Sequence, residues 1–177
     1  DNVFVHDDYR VGDLNKGFQY IAEALDIERF SMFTFSPIRG RMELLCDYVK
    51  TAKRDGKPLR DAPVIRPKIA QLTTELEVAR VLGVRFVDAA LNSTKTPTVE
   101  ASHYKLYATE LSRRIADATM DIVGPGAQLA LRTEDAPLKG RSESCYTYTV
   151  IDTIGGGSSE VQRNIIATRG LGLPRNF

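Results

Sequence analysis

Residues 98–123 read TVEASHYKLYATELSRRIADATMDIV. Tyr104, Ala108, Leu111, Ile115, Ala118 and Ile122 recur at steps of three and four, which is the repeat of one α-helical face. Thr98 or Pro97 opens this helix, and Gly124-Pro125-Gly126 closes it. A helix with one apolar stripe must bury that stripe against other elements, so its neighbours decide the fold. Upstream, about Val64 to Leu91, the stripe Ile69, Leu72, Leu76, Ala79, Phe86 and Ala90 predicts a second long helix, broken by the stretch Asn92–Pro97. From Lys16, the residues Phe18, Ile21, Ala22, Leu25, Arg29 and Met32 keep the same spacing, and Pro37 kinks or ends that helix. Met42, Leu45, Cys46 and Val49 carry another helix to Arg54. Asp55-Gly56-Lys57-Pro58 stops it, with glycine past the helix end and proline beyond. Four long amphipathic helices with short connections predict an all-α fold, an antiparallel helical bundle over residues 15–177.

The two ends read differently. Val3, Val5, Tyr9 and Val11 alternate with polar residues, as in a strand or extended arm ending at Gly12. A chain that opens on half a strand is expected to be the C-terminal part of something longer. Residues 127–145 are mixed and polar and read as loop plus short helix. Tyr146–Ile154, YTYTVIDTI, has the composition of a strand. Gly155-Gly156-Gly157 follows. Ser158 or Ser159 then caps a final helix over Glu160–Thr168, ended by Gly170, Gly172 and Pro174.

The chain has 177 residues, with 24 Lys+Arg against 23 Asp+Glu, a net charge of +1. That balance, with no Lys/Arg run, argues against a nucleic-acid binder held by bulk electrostatics. No apolar stretch reaches the roughly 20 residues that a membrane helix needs, so no membrane partner is expected. The opening DNVFVHDDYR lacks the basic and apolar regions of a signal peptide. Cys46 and Cys145 make no disulfide framework. A cytoplasmic protein with two thiols is expected. His6 and His103 without a Cys-x-x-Cys pair leave no expected metal site.

Three features could carry chemistry. Consecutive glycines before a helix, GGGSSEVQR, let a ligand approach the backbone, and the helix start favours an anion. The plainer reading is a flexible turn before a capped helix. Asp26, Glu28 and Arg29 interrupt the apolar run ALDIERFSMF. A Glu enclosed by apolar residues would have a raised pKa, as a general base near neutral pH needs. The plainer reading is an exposed face with local charge pairing. Phe30, Met32, Phe33 and Phe35 could line an acyl pocket or simply pack the core. The residues alone leave all three open.

The closing stretch DTIGGGSSEVQRNIIATRGLGLPR resembles the C-terminus of flavin-dependent acyl-CoA dehydrogenases. So do YRVGDLNKGFQYIAEALDIERF near the start, and DYVKTAKRDGKPL and ATELSRRIADATMDIVGPG between them. The resemblance runs in order along essentially the whole chain and is to the C-terminal half of a typical member. It implies that residues 1–14 end the middle β-domain and its linker, and that 15–177 form the C-terminal helical domain. It also implies a reaction: a carboxylate removes the α-proton of an acyl-CoA thioester, and the β-hydride passes to FAD, giving a trans-2-enoyl-CoA.

Many members carry that carboxylate in a Tyr-Glu-Gly-Thr-like loop before the final helix. The matching residue here is Gly156, which cannot take a proton. A minority carry it on the first helix, in Leu-Asp-x-Glu-Arg. Leu25-Asp26-Ile27-Glu28-Arg29 matches, and the resemblance implies Glu28 as the base. It implies further that Leu25, Asp26, Arg29 and Gly157 contact the acyl-CoA and that Ser158, Ser159 and Glu160 contact FAD.

The departures bear on partners. Family members usually donate an Arg-x-x-x-Phe-Gly motif to the FAD of a neighbouring subunit. Here its positions are Ala52, Asp55 and Gly56. A downstream glutamine aligns with Pro63, and a Gln-x-x-Gly-Gly pattern aligns with Asp121 and Gly124-Pro125. Alanine cannot supply the charge-assisted contact of arginine to a pyrophosphate. Some bacterial members are heterotetramers of two unlike subunits, one bearing the base and the other the FAD motif. This chain resembles the base-bearing type, which implies a homo- or, better, a hetero-tetramer with an electron-transfer flavoprotein as electron acceptor. Such enzymes often take bulky substrates, steroid side chains among them. The alternatives are a non-catalytic assembly subunit and an acyl-CoA oxidase- or monooxygenase-like flavoprotein.

Overall fold

A computed structural model describes residues 1–32 and 35–174. Among the described residues there are six α-helices: α1 Gly17–Met32, α2 Phe35–Thr51, α3 Ile65–Asn92, α4 Thr98–Val123, α5 Arg141–Asp152 and α6 Ser159–Ile165. They form a helical bundle in which α4 touches α1, α2, α3, α5 and α6. Both long helices form where the periodicity predicts them. Pro37 falls in the first turn of α2, where a missing N–H leaves no intrahelical bond unmade.

The apolar stripes meet as expected. Ile38, Met42, Leu45 and Val49 of α2, Ile65, Leu72, Leu76 and Ala79 of α3, and Tyr104, Ala108, Leu111, Ile115, Ala118 and Ile122 of α4 form one core with Leu59. Burying the leucine, isoleucine, valine and methionine side chains among them stabilises by about 1.5–3 kcal/mol each. Arg114 of α4 also donates from Nε to Glu75 Oε2 of α3 at 2.8 Å.

Between α2 and α3 a two-residue ladder forms, β1 Lys53–Arg54 with β2 Lys57–Pro58. Its turn residues Asp55 and Gly56 have φ of 51° and 75°, the left-handed pair that a tight hairpin requires and that Asp-Gly supplies. The stop signal of the sequence is therefore a hairpin.

Two expectations are corrected. No strand forms in residues 1–14: Asp7–Tyr9 make a single 3-10 turn, and Val3, Val5, Tyr9 and Val11 are exposed. A strand's N–H and C=O groups need a neighbouring strand, and the described residues offer this segment none. Tyr146–Ile154 is not a strand either; most of it lies in α5. Its β-branched and aromatic residues lose only a few tenths of a kcal/mol each in a helix. Ser142, Thr149 and Asp152 are buried at helical spacing. Packing against α4 outweighs so small a local preference.

Candidate functional site

The site is built where α1, α4 and the turn between α5 and α6 meet. Asp26 of α1 is buried, 8% exposed. One of its oxygens pairs with the guanidinium of Arg29, and the other accepts from Thr98 Oγ1 at the start of α4, at 2.6 Å. Arg29 also donates from Nε to the Gly156 carbonyl at 3.1 Å. The Leu-Asp-x-Glu-Arg segment is thereby tied to the glycine turn across 127 residues of sequence.

The turn is held from a second side. Gln162 Nε2 donates to the carbonyls of Gly156 and Gly157 at 3.0 and 3.2 Å. Lys105 Nζ of α4 donates to the Gly157 carbonyl at 2.8 Å. Gly156 and Gly157 have φ of 65° and 95°. A Cβ on residue 157 would lie 2.7 Å from Gln162 Nε2 and displace that amide, and the positive φ itself favours glycine there. Ser158 caps α6, its hydroxyl accepting from Val161 N at 3.4 Å. Ser159 is buried, with its N–H on the Thr153 carbonyl at 3.1 Å. Hydrogen bonding to Ser158 holds the Glu160 carboxyl below its usual range.

Glu28 lies on the exposed side of α1. The apolar enclosure expected for it is absent among the described residues, because its neighbours Ile21 and Ile27 are exposed too. Asp26 and Arg29 are not on that open face. They are committed to each other, to Thr98 and to the Gly156 carbonyl. Leu25 is half-buried beside them. Phe35 packs on the core, whereas Phe33 and the side chains of Phe30 and Met32 lie outside the described residues.

Three contributors were not read from the sequence: Lys105, Gln162 and Thr98. A signal existed for Lys105. Ser102, Lys105, Thr109, Ser112, Ala116 and Thr119 are all buried. They form a second stripe on α4, with steps of three and four, beside the apolar one.

The hairpin between α2 and α3 is of another character. Ala52 packs on the core, and Asp55 and Gly56 form the exposed turn. The Arg54 guanidinium is engaged with the Ile122 carbonyl at 2.6 Å. Arg54, Lys68 and Asp121 border a shared recess of about 310 Å³. A pyrophosphate there would find one arginine already engaged and a carboxylate beside it.

The description "Acyl-CoA dehydrogenase, C-terminal domain" matches residues 15–171. The chain belongs to the acyl-CoA dehydrogenase family. It is 29% identical over 169 residues to the acyl-CoA dehydrogenase FadE26 of Mycobacterium tuberculosis, covering 94% of this chain and 42% of FadE26. Among solved structures, a chain of the ChsE4-ChsE5 complex from Mycobacterium tuberculosis aligns at 30% identity and a TM-score of 0.71, over 81% of this chain and 36% of that one. The Tcur3481-Tcur3483 steroid acyl-CoA dehydrogenase aligns at 27% identity and a TM-score of 0.82, over 94% of this chain and 42% of that one. The chain thus spans about two fifths of the length of its curated relatives. Among the described residues no group of three or more His, Cys, Asp or Glu side chains could hold a metal ion, and no helix is long and apolar enough to cross a membrane.

Proposed function

We propose that this chain is the base-bearing C-terminal half of an FAD-dependent acyl-CoA dehydrogenase, with Glu28 as the base. One observation carries the reading: Arg29 donates to the carbonyl of Gly156, the residue standing where many family members have their carboxylate. The carboxylate of the preceding residue, Glu28, is the replacement. Its exposure within this chain is the accessibility that a base acting on a bound substrate requires.

In this mechanism Glu28 takes the α-proton of the acyl-CoA thioester, and the enoyl-CoA product leaves with its new double bond trans. FAD, when bound, supplies the hydride acceptor for the β-hydrogen. The turn at 155–160 fits such ligands. Glycines 156 and 157 bring no side chain between backbone and ligand. The N–H groups of Gly156 and Ser158 make no backbone hydrogen bond outside the helices among the described residues. Asp26 and Arg29 hold α1 against this turn and so fix the height of Glu28 along it. Ser158 and Glu160 would face the flavin side, as family members do at these positions.

The hairpin face does not fit the pyrophosphate of a second flavin. This supports a hetero-oligomer in which an unlike subunit supplies the FAD-gripping motif, as does the likeness to the ChsE4-ChsE5 complex. The likeness to a steroid acyl-CoA dehydrogenase and the side-chain-free turn favour a bulky acyl group. An electron-transfer flavoprotein is the expected acceptor of the electrons.

The test is anaerobic flavin bleaching by a panel of acyl-CoAs, using the full-length protein with its partner subunit. Wild type should bleach. Glu28→Gln should bind FAD and acyl-CoA yet bleach at least about a thousandfold more slowly, the upper range for removing a general base. Equal bleaching by both would place the base elsewhere and make this chain the supporting subunit.

A further inference from the structure

Lys105 is fully buried, 0% exposed, and among the described residues no other lysine is buried. A buried ammonium is costly unless its position gives it something to do. Here it reaches across from the middle of α4 to one carbonyl of the glycine turn, 52 residues away in sequence. Gln162 is equally buried and donates to both glycine carbonyls. Its Oε1 is left without a partner among the described residues. Flipping the amide to satisfy Oε1 would set it against two carbonyl oxygens, so those carbonyls dictate the orientation. Arg29 adds a third donor from α1. Two adjacent carbonyls of one turn thus receive donors from three helices.

The peptide plane gives this arrangement a consequence. In a trans peptide the N–H points opposite to the C=O it shares a bond with. With the Gly156 carbonyl turned to Arg29 and Gln162, the Gly157 N–H is turned away from them. With the Gly157 carbonyl turned to Lys105, the Ser158 N–H is turned away from α4. We propose that Lys105 is a positioning residue for the acyl-CoA site. By holding the Gly157 carbonyl toward α4, it keeps the turn in the one orientation that leaves the Ser158 N–H available as a donor to bound ligand. The inference rests on the acyl-CoA reading for what the donor serves, but the orientation itself is independent of it. Desolvation brings the Lys105 pKa down to about 8, with Arg29 lowering it further and Asp152, Glu110 and Glu160 raising it. These four groups lie on α1, α5, α4 and α6.

The experiment uses Lys105→Met and Lys105→Arg in the full-length protein with its partner and FAD. Hydrogen–deuterium exchange, thermal melting and anaerobic flavin reduction by acyl-CoA are read together. Methionine matches the lysine stem without the charge, so melting should stay at the wild-type value or rise. Exchange should quicken about tenfold over residues 154–161 and stay at the wild-type rate in 65–92 and 98–123. Flavin reduction at saturating acyl-CoA should slow about tenfold, the cost of a misplaced but intact site. Arginine keeps a donor and should recover most of both losses. Unchanged exchange at 154–161, or unchanged flavin reduction despite faster exchange there, overturns the proposal. So does faster exchange spread through the whole bundle with a falling melt, which marks a purely structural lysine. If wild-type flavin is reduced by no acyl-CoA, the dehydrogenase reading falls, and the confinement of the exchange change to 154–161 still judges Lys105.

Discussion

The two buried faces of α4 were built by different rules. One face carries Tyr104, Ala108, Leu111, Ile115, Ala118 and Ile122 against α2 and α3. It is held by area and fit. The other carries Ser102, Lys105, Thr109, Ser112, Ala116 and Thr119. It is held by directed bonds. Ser102, Thr109 and Thr119 return their hydroxyls to carbonyls of their own helix, which satisfies them without a partner element. Ser112 bonds Arg41 of α2 and Asp152 of α5, and Lys105 holds the glycine turn. An apolar face tolerates small shifts in its neighbours, whereas a hydrogen bond fails when its geometry drifts. The directed face is therefore the one able to fix where the candidate site sits, and the apolar face sets how firmly the whole bundle holds together.

That contrast can be broken in order of effect. Leu111→Ala should cost about 2–5 kcal/mol, the range for a fully buried leucine. Denaturant unfolding should show a lower midpoint for the whole bundle, with the exchange pattern around 154–161 changed no more than elsewhere. A loss confined to the turn would mean that the two faces are not separate.

Asp152→Ala removes the carboxylate that pairs with Arg41 at 3.3 Å, leaving Arg41 the Ser112 hydroxyl and the Tyr148 ring at 5.7 Å. It should cost about 1.5–3 kcal/mol, as expected for hydrogen bonds to a charged group. Asp152→Ala with Arg41→Met together should recover part of that in a double-mutant cycle, because both charges go. If the double variant is as unstable as the sum of the singles, Arg41 and Asp152 do not act as a pair.

Gly157→Ala should cost about 1–2 kcal/mol from its positive φ alone, with a further local displacement where its Cβ meets Gln162. Flavin reduction should suffer more than the melting temperature. An alanine variant with wild-type flavin reduction would show that the turn's conformation is not what the directed face protects.

The smallest effect is a slope with pH. The folded value for Lys105, about 8, lies below its ordinary 10.5. Between these values the unfolded chain keeps the proton while the folded chain has lost it. Stability then rises with pH by at most about 1.4 kcal/mol per pH unit. Wild type compared with Lys105→Met should therefore show a stability difference that is flat below about pH 8 and moves in favour of wild type from there to about 10.5. A flat difference across that window would mean that Lys105 keeps an ordinary pKa, against its burial.

Which parts could be read beforehand follows from how local their causes are. The stripe of α4 and the Asp-Gly turn depend on neighbours three or four residues away, or fewer. Tyr146–Ile154 misled because residues with strand preference pay little to enter a helix, and α4 offered them a helical seat. The opening residues misled for the opposite reason: their alternation describes a strand for which the described residues offer no partner. Lys105 escaped notice because one charge beside an apolar stripe looks like an exposed face until the second stripe is counted.

Sequence by itself determined that the chain is a bundle of long amphipathic helices, where the two longest begin and end, and which pentapeptide, Leu25 to Arg29, matches the alternative base of the family. These depend on periodicity, turn chemistry and the order of residues in a motif. Only the tertiary structure decided that Asp26 and Arg29 are spent on clamping α1 to Thr98 and Gly156, that Glu28 stays on the open side, and that Lys105 and Gln162 grip the glycine turn. Those outcomes join residues from 5 to 127 positions apart. A hydrogen bond across the longer of these distances, 52 to 127 residues, exists only once the whole bundle has closed around α4.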